Sequence, residues 1–282
     1  MKPWLRTILL IVFSLTFLVS GYFLLDYYME SRKQKNQFDE LAQLMQESAN
    51  RPQNVLPAIP TPDTPADPEA PTLPEGPALV EVKDPETGES VWMLPDFTDL
   101  YQLNNHIVGW ISIPGTLINY PVMQTPNVPD YYLHRSFSRE YSNHGCIYVR
   151  EACDVFTPSD NVTIYGHRMG DGTMFNALHS YDDPEFYEDH SQIIFNTLTE
   201  NHTYEILSIF RISSSLDSDF PYHLYVDFTD EAHFNEFVEN CYDRALYDTG
   251  VTATYGDKLI TLSTCEYTRV NGRLVVVAKQ ID

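Results

Sequence analysis

The chain begins with a long apolar run, continues through a proline-rich stretch and ends in a series of short apolar segments. Residues 7–25 form 19 consecutive positions without a charged side chain, enough for a helix to span the core of a bilayer. A cleaved signal peptide usually has an apolar region of only about 7–15 residues, followed by a small-residue cleavage site. Because this run is longer and no such site follows it, we predict an uncleaved transmembrane anchor.

The segment between the anchor and residue 95 is predicted to be a stalk and a linker, over residues 26–95. Apolar side chains recur at helical spacing within residues 31–47, which predicts a short exposed helix. Residues 52–77 contain nine prolines in 26 positions. Such a segment cannot pair into a sheet or bury a core, so we predict an extended spacer that rises about 3.1 Å per residue.

From residue 96 onward the pattern changes to short apolar segments separated by polar turns, which is typical of strands. Four helices are also predicted, and the last of them has one continuous apolar face, with acidic side chains in its first turn that favour the helix dipole. Because the strands do not alternate regularly with helices, the pattern favours a mainly β, closed barrel of about eight strands with peripheral helices over a doubly wound sheet. The predicted strands lie near 108–113, 117–123, 146–150, 161–165, 192–197, 203–211, 258–263 and 273–279, and the helices near 97–105, 173–180, 184–190 and 229–246.

The charge of the chain narrows the choice of partners. The net charge is −23, and residues 96–282 carry 27 acidic against 10 basic side chains. This balance argues against nucleic acid or an anionic membrane surface as a partner of the folded domain. It is compatible with a cationic partner such as an amine, or with solubility alone.

Three residues form a candidate catalytic group. Cys265 ends one predicted strand, and Arg273 opens the next strand eight residues later. His167 ends another apolar strand almost a hundred residues upstream, and such partners are expected to meet in space rather than in sequence. A free thiol titrates near 8.5, so a nearby imidazolium and guanidinium would raise the thiolate fraction. A fixed guanidinium can also stabilise the oxyanion formed when a thiolate attacks an amide.

The neighbours of Cys265 are predicted to contact the substrate. Alternation along the strand should direct one of Ser263 and Thr264 toward a groove and the other toward the barrel interior. Glu266 could orient a basic group or be a solvated loop acid, and Tyr267 follows it. These four residues are our substrate-binding candidates.

The other cysteines are not expected to be reactive. Cys146, Cys153 and Cys241 form an odd set once Cys265 is kept reduced, and Cys146 and Cys241 lie in apolar patterns typical of buried residues. The segment 143–150, NHGCIYVR, resembles a motif of L,D-transpeptidases, but its arginine lies four residues after Cys146 instead of two. No metal-binding spacing and no phosphate-binding glycine loop occurs, so neither a metal nor a cofactor is predicted.

The order of these motifs resembles that of the sortases, the cysteine transpeptidases of Gram-positive cell surfaces. The resemblance covers roughly residues 97–280 and is strongest to the class B branch. It is carried by a long helix before the last two strands and by four sequence segments: VGWISIPGTLINYPVMQ (108–124), YGHRMGDGTMFNAL (165–178), TLSTC (261–265) and RLVVVAK (273–279).

The resemblance implies a function and a location. A sortase of this type would cleave a Pro-x-Thr-containing sorting signal after Thr, form an acyl-enzyme on Cys265, and pass the acyl group to a peptidoglycan-precursor amine or a pilin lysine. A hydrolytic cysteine protease and a non-catalytic wall-binding module are the alternatives. The resemblance also implies a cytoplasmic tail over 1–6, an anchor over 7–25 and an extracellular catalytic domain over 96–282. The segment PETG (85–88) is similar to a sorting signal, and we interpret it as a simple turn.

Overall fold

The N-terminal part of the chain is a single long helix. The computed structural model describes residues 2–50, 78–125, 127–213, 220–268 and 271–282. Helix α1 runs over Pro3–Ala49 without a break, so the separate helix expected over 31–47 is its continuation. An 18-residue window of α1 has a mean hydropathy of 2.5, so its length and composition suit a membrane span. The chain divides into two compact units, 1–40 and 41–282, and the predicted spacer over 52–77 lies outside the described residues.

A β-hairpin precedes the barrel, in a stretch that the sequence pattern assigned to the linker. Strand β1 (Val80–Lys83) pairs with β2 (Ser90–Met93). The PETG segment forms the turn between them, where the Asp84 carboxylate accepts hydrogen bonds from two backbone N–H groups at 2.8 Å. Asp84 also accepts a hydrogen bond of 2.6 Å from the hydroxyl of Tyr101. This carboxylate therefore joins the hairpin to the domain that follows, a contact that linker-like composition does not reveal.

Eight strands close into a barrel, which confirms the predicted fold class. The strands are β3 (Ile107–Ser112), β4 (Asn119–Met123), β5 (Ile147–Val149), β6 (Asn161–Tyr165), β7 (Gln192–Thr197), β8 (Thr203–Ser213), β9 (Leu259–Cys265) and β10 (Gly272–Gln280). Their order around the barrel is β10-β8-β7-β3-β4-β5-β6-β9. Three predicted helices are present as α2 (Thr98–Leu103), α3 (Pro184–Asp189) and α4 (Glu231–Asp243), and the one expected near 173–180 is a 3₁₀ helix, Phe175–Asp182.

Helix α4 covers one side of the barrel. Its N-terminus is capped by Asp230, whose side chain accepts a hydrogen bond from the backbone N–H of His233 at 2.9 Å. Its apolar face buries Phe234, Phe237 and Cys241 in a cluster that also contains side chains of β8 and β10. The helix therefore packs against β10, one of the two paired strands that carry Cys265 and Arg273.

Candidate active site

Strand register brings the three candidate catalytic residues to one edge of the barrel. Strands β6 and β9 are parallel, with Tyr165 opposite Ser263. His167 and Cys265 each follow two residues later, so both emerge where these neighbouring strands end. In the antiparallel pair of β9 and β10, Arg273 lies directly opposite Cys265. The sequence prediction that these distant residues meet in space therefore agrees with the register of three adjacent strands.

Cys265 and Arg273 occupy a site in the ladder where side chains approach closely. The next pair along, Glu266 and Gly272, is joined by a backbone hydrogen bond of 2.9 Å. Because hydrogen-bonded and non-hydrogen-bonded pairs alternate in antiparallel sheets, Cys265 and Arg273 form a non-hydrogen-bonded pair. The guanidinium also donates from Nη1 to the carbonyl of Gly272 at 3.0 Å. This bond ties the guanidinium to the start of β10, where Arg273 lies opposite Cys265.

The ring of His167 is oriented by a backbone carbonyl. Its Nε2 lies 2.7 Å from the carbonyl oxygen of Leu133. A carbonyl can only accept, so Nε2 donates and the neutral ring keeps its lone pair on Nδ1. The ring also stacks on His134, with centroids 5.4 Å apart and planes inclined by 26°. The tautomer of His167 is therefore set by its surroundings.

Burial is the main influence on the protonation of His167. It lowers the pKa of the imidazole below its ordinary value, and positive charge on His134, His144 and Arg273 acts in the same direction. The hydrogen bond to the carbonyl of Leu133 acts in the opposite direction and raises the pKa. The neutral base is therefore the favoured form at neutral pH.

A cavity of about 400 Å³ opens beside these residues. Acidic and basic side chains both line it, among them Asp130, Arg150 and Glu151. This mixed lining suits a peptide with both polar and charged groups. The lining includes His167, Tyr222, Ser263, Thr264, Cys265 and Arg273.

The four substrate-binding candidates fall into two groups. Ser263 and Thr264 line the cavity, and Ser263 shares a strand face with Cys265. The Ser263 hydroxyl lies 2.8 Å from the hydroxyl of Tyr222. Glu266 and Tyr267 do not line this cavity in the described part of the chain.

Glu266 and Tyr267 have local partners instead. The Glu266 carboxylate accepts hydrogen bonds from the backbone N–H and the hydroxyl of Thr268, both at 2.8 Å, and so holds the turn after Cys265. The ring of Tyr267 is largely exposed and lies 5.3 Å from the guanidinium of Arg168. Their predicted contacts with substrate remain predictions.

The remaining cysteines are buried. Burial raises the pKa of the Cys146, Cys153 and Cys241 thiols, which makes their thiolates scarce at neutral pH. Cys265 is the one cysteine of the chain that is partly exposed. Within the described residues, no group of three or more His, Cys, Asp or Glu side chains is arranged to hold a metal ion.

Comparison with known proteins shows which family this chain belongs to. A family model described as a sortase domain matches residues 111–281. A curated relative, sortase B of Staphylococcus aureus, is 33% identical over 189 residues, which are 66% of this chain and 75% of the relative. This chain belongs to the class B sortases. Members of that family are cysteine transpeptidases, so this sortase is an enzyme of that type.

Solved sortase structures share the fold over almost the whole chain. A Staphylococcus aureus sortase B-substrate complex has a TM-score of 0.69 and 27% identity, and the match covers 90% of this chain and 99% of that one. A sortase B complexed with triglycine has a TM-score of 0.68 and 26% identity, covering 89% and 99% of the two chains.

Some residues of this sortase site were not found by sequence reasoning. Tyr222, the Leu133 carbonyl and His134 contact site residues but belong to no motif that we used. His179 places Nε2 3.1 Å from the carbonyl of Cys265, from the 3₁₀ helix that follows His167. A backbone carbonyl has no sequence signature, and a lone histidine has only a weak one, so register and loop geometry were needed to find them.

Proposed function

We propose that this sortase cleaves a Pro-x-Thr-containing sorting signal of secreted surface proteins and transfers the acyl group to an amine of a peptidoglycan precursor. The row of His167, Cys265 and Arg273 beside the cavity is the observation that carries this proposal. Two sortase B relatives were solved with a substrate and with triglycine, respectively. These two complexes are therefore consistent with a peptide donor and an amine acceptor.

In the first half-reaction Cys265 is the nucleophile. Neutral His167 first takes the thiol proton on Nδ1, and the resulting thiolate attacks the threonine carbonyl carbon, so that a C–S bond forms and the carbonyl electrons move to oxygen. His167, as the imidazolium, gives its proton to the departing amine nitrogen while the C–N bond breaks. The product is a thioester on Cys265 and a free C-terminal peptide.

In the second half-reaction an amine replaces the thiol. The amine attacks the thioester carbonyl, and neutral His167 takes its proton through Nδ1, because Nε2 is occupied with the Leu133 carbonyl. The C–S bond then breaks and the electron pair returns to sulfur. His167 is then an imidazolium next to a thiolate, and return of its proton to sulfur restores the neutral pair.

Arg273 is proposed to stabilise both oxyanions. In many acyl-transfer enzymes the backbone N–H after the nucleophile serves this purpose. Here the N–H of Glu266 already donates to Gly272 at 2.9 Å. The guanidinium of Arg273, whose residue lies opposite Cys265 in the strand register, is the positively charged donor that we propose for this role.

The proposed location follows from α1. We propose that residues 7–25 anchor the enzyme in the cell membrane, with residues 1–6 in the cytoplasm and the catalytic domain outside. The hydropathy of α1 supports an anchor, and the orientation is the one that the proposed activity on secreted proteins requires. Protease accessibility of the catalytic domain in intact cells would test it.

A cleavage assay with and without an amine tests the function. A fluorogenic Pro-x-Thr peptide is incubated with the enzyme alone, with triglycine, or with a lysine-containing pilin-type peptide, and the products are identified by mass spectrometry. We expect a ligated product with triglycine, which stands for the amine of a peptidoglycan precursor in this assay. Hydrolysis alone under all conditions would identify a protease, ligation only to lysine would identify a polymerising enzyme, and no cleavage of any sorting-signal peptide would refute the proposal.

A further inference from the structure

A five-residue turn packs against the short helix that orients His167. The segment Ser142–Cys146, which we call the 142–146 turn, contains the His-Gly-Cys sequence that plays no part in the chemistry proposed above. The neighbouring 3₁₀ helix is Tyr131–His134, and its carbonyl groups face this turn and the catalytic edge.

Three consecutive carbonyls of this helix have three different partners. The carbonyl of Tyr132 accepts from the N–H of Cys146 at 3.0 Å, and the carbonyl of His134 accepts from the N–H of Ser142 at 3.1 Å. The carbonyl between them, that of Leu133, accepts from Nε2 of His167 at 2.7 Å. The 142–146 turn therefore fixes the peptide groups on both sides of the one that holds the imidazole.

Gly145 makes this packing sterically demanding. Its φ is +59°, and a Cβ at this position would lie 2.4 Å from the carbonyl oxygen of Leu133 and 2.6 Å from that of Tyr132. Both distances are far below van der Waals contact, and both neighbours are backbone atoms. Any side chain at residue 145 would therefore have to displace the carbonyl to which His167 is bonded.

A second connection joins the turn to the loop after His167. Nε2 of the buried His144 lies 2.8 Å from the Asp171 carboxylate. The same carboxylate accepts from the N–H of Thr173 at 3.0 Å and from its hydroxyl at 2.6 Å. The N–H of Phe175 in turn donates to the carbonyl of His167 at 2.9 Å. The 142–146 turn is thus connected both to the carbonyl that binds the His167 ring and, through Asp171, to the loop that follows His167.

We infer that the 142–146 turn is the positioning element of the general base, with Gly145 fixing the Leu133 carbonyl and the His144–Asp171 pair fixing the loop that carries His167. The inference rests on the proposed role of His167. Among the described residues that line the cavity beside Cys265, none belongs to the 142–146 turn and Asp171 is not included, so these residues act through His167 and are positioning residues.

The main test compares Gly145→Ala with Gly250→Ala in the full-length enzyme in detergent. Gly250 has a φ of +74°, and a Cβ there would meet nothing within 4 Å, so this variant adds similar backbone strain without displacing a carbonyl. We expect Gly145→Ala to lower kcat for the Pro-x-Thr peptide by roughly 10- to 100-fold with KM changed less than about twofold, because small misplacements of a catalytic group are costly. Gly250→Ala should retain the wild-type kcat.

Two further measurements separate positioning from general destabilisation. Asn tolerates a positive φ better than Ala but also carries a Cβ, so Gly145→Asn should be as impaired as Gly145→Ala. In both variants the limb of the kcat/KM pH profile that reports His167 should move to lower pH, because the Leu133 carbonyl stabilises the imidazolium. ¹⁵N spectra of the His167 ring should show loss of the uniform Nε2–H tautomer.

The outcomes distinguish this inference from the proposed function. A folded Gly145→Ala enzyme with wild-type kcat and pH profile would overturn the inference. If that variant does not fold, Asp171→Ala replaces it. We expect Asp171→Ala to lose kcat several-fold and to show the same change in the ¹⁵N spectrum, and we expect Asp171→Asn to recover part of the activity. An Asp171→Ala enzyme with unchanged kcat and an unchanged ¹⁵N spectrum would overturn the inference. His167→Ala is the reference: if it keeps its activity, the proposed function itself is wrong.

Discussion

Replacing Arg273 by lysine tests the chemistry most directly, because the charge is kept while the shape of the donor changes. Arg273 lies opposite Cys265 and donates from Nη1 to Gly272, so the planar guanidinium can hold that carbonyl and present other N–H groups toward the thiol. A lysine ammonium is a point charge on a flexible stem and cannot reproduce this planar arrangement. We therefore expect Arg273→Lys to lose most of the activity.

The expected magnitude follows from the donors available near Cys265. The N–H of Glu266 is engaged with Gly272, so the loss of the guanidinium removes a main oxyanion donor. Removal of one such donor typically lowers kcat by about 10²–10³-fold, or about 2.7–4 kcal/mol. The remaining charge of a lysine should place Arg273→Lys near the lower end, at about 10²-fold, and Arg273→Ala near the upper end.

Steady-state kinetics on one fluorogenic Pro-x-Thr peptide provide the measurement. If Arg273 stabilises the transition state, kcat and kcat/KM should fall together, whereas a role in gripping the peptide would raise KM and leave kcat unchanged. Arg211→Lys on β8 is the matched control, because that arginine pairs with Asp182 and does not line the cavity. Wild-type values of both constants for Arg273→Ala would remove this residue from the active site.

Three other predictions use simpler measurements. Cys265→Ala should abolish peptide cleavage while Cys146→Ala, at a buried thiol, should retain it; an inactive Cys146→Ala and an active Cys265→Ala would refute our assignment. A chain that starts at residue 78 should melt at a higher temperature than one that starts at 96, because the fully buried side chain of Met93 alone is worth roughly 2–5 kcal/mol; equal melting temperatures would place the domain boundary at 96. His134→Gln should move the His167 limb of the pH–rate profile to higher pH, because positive charge on His134 lowers the His167 pKa; a shift to lower pH would contradict this.

The strands of the barrel could be predicted because their side chains alternate or are uniformly apolar over short, well-separated segments. Each of the eight predicted segments overlaps an observed strand, from Ile107–Ser112 to Gly272–Gln280. The long helix before the last two strands was also predicted, from its apolar face and its acidic first turn, and it is observed as Glu231–Asp243. Local patterns were sufficient here because these elements bury one continuous apolar surface.

Features that depend on pairing between distant segments could not be predicted. The hairpin Val80–Met93 carries few apolar residues, and its attachment to the domain depends on buried Met93 and on polar contacts from distant segments. These contacts include the hydrogen bond from Tyr101 to Asp84 and the ion pair between Arg139 and Glu86. The orientation of His167 likewise depends on the backbone of Leu133 and on the absence of a side chain at Gly145. Such contacts leave no periodic signal in the sequence.

The directions of the strands explain why the three proposed catalytic residues occur where they do along the chain. Parallel neighbours such as β6 and β9 end at the same edge of the sheet and need a long crossover between them, which accounts for the separation of His167 from Cys265. Strand β10 is antiparallel to β9, so only its first residues reach that edge. Lys279, six residues beyond Arg273 on the same strand, lies at the other end, about 20 Å away at about 3.3 Å per residue. A basic partner for Cys265 on β10 therefore has to stand at its start, as Arg273 does.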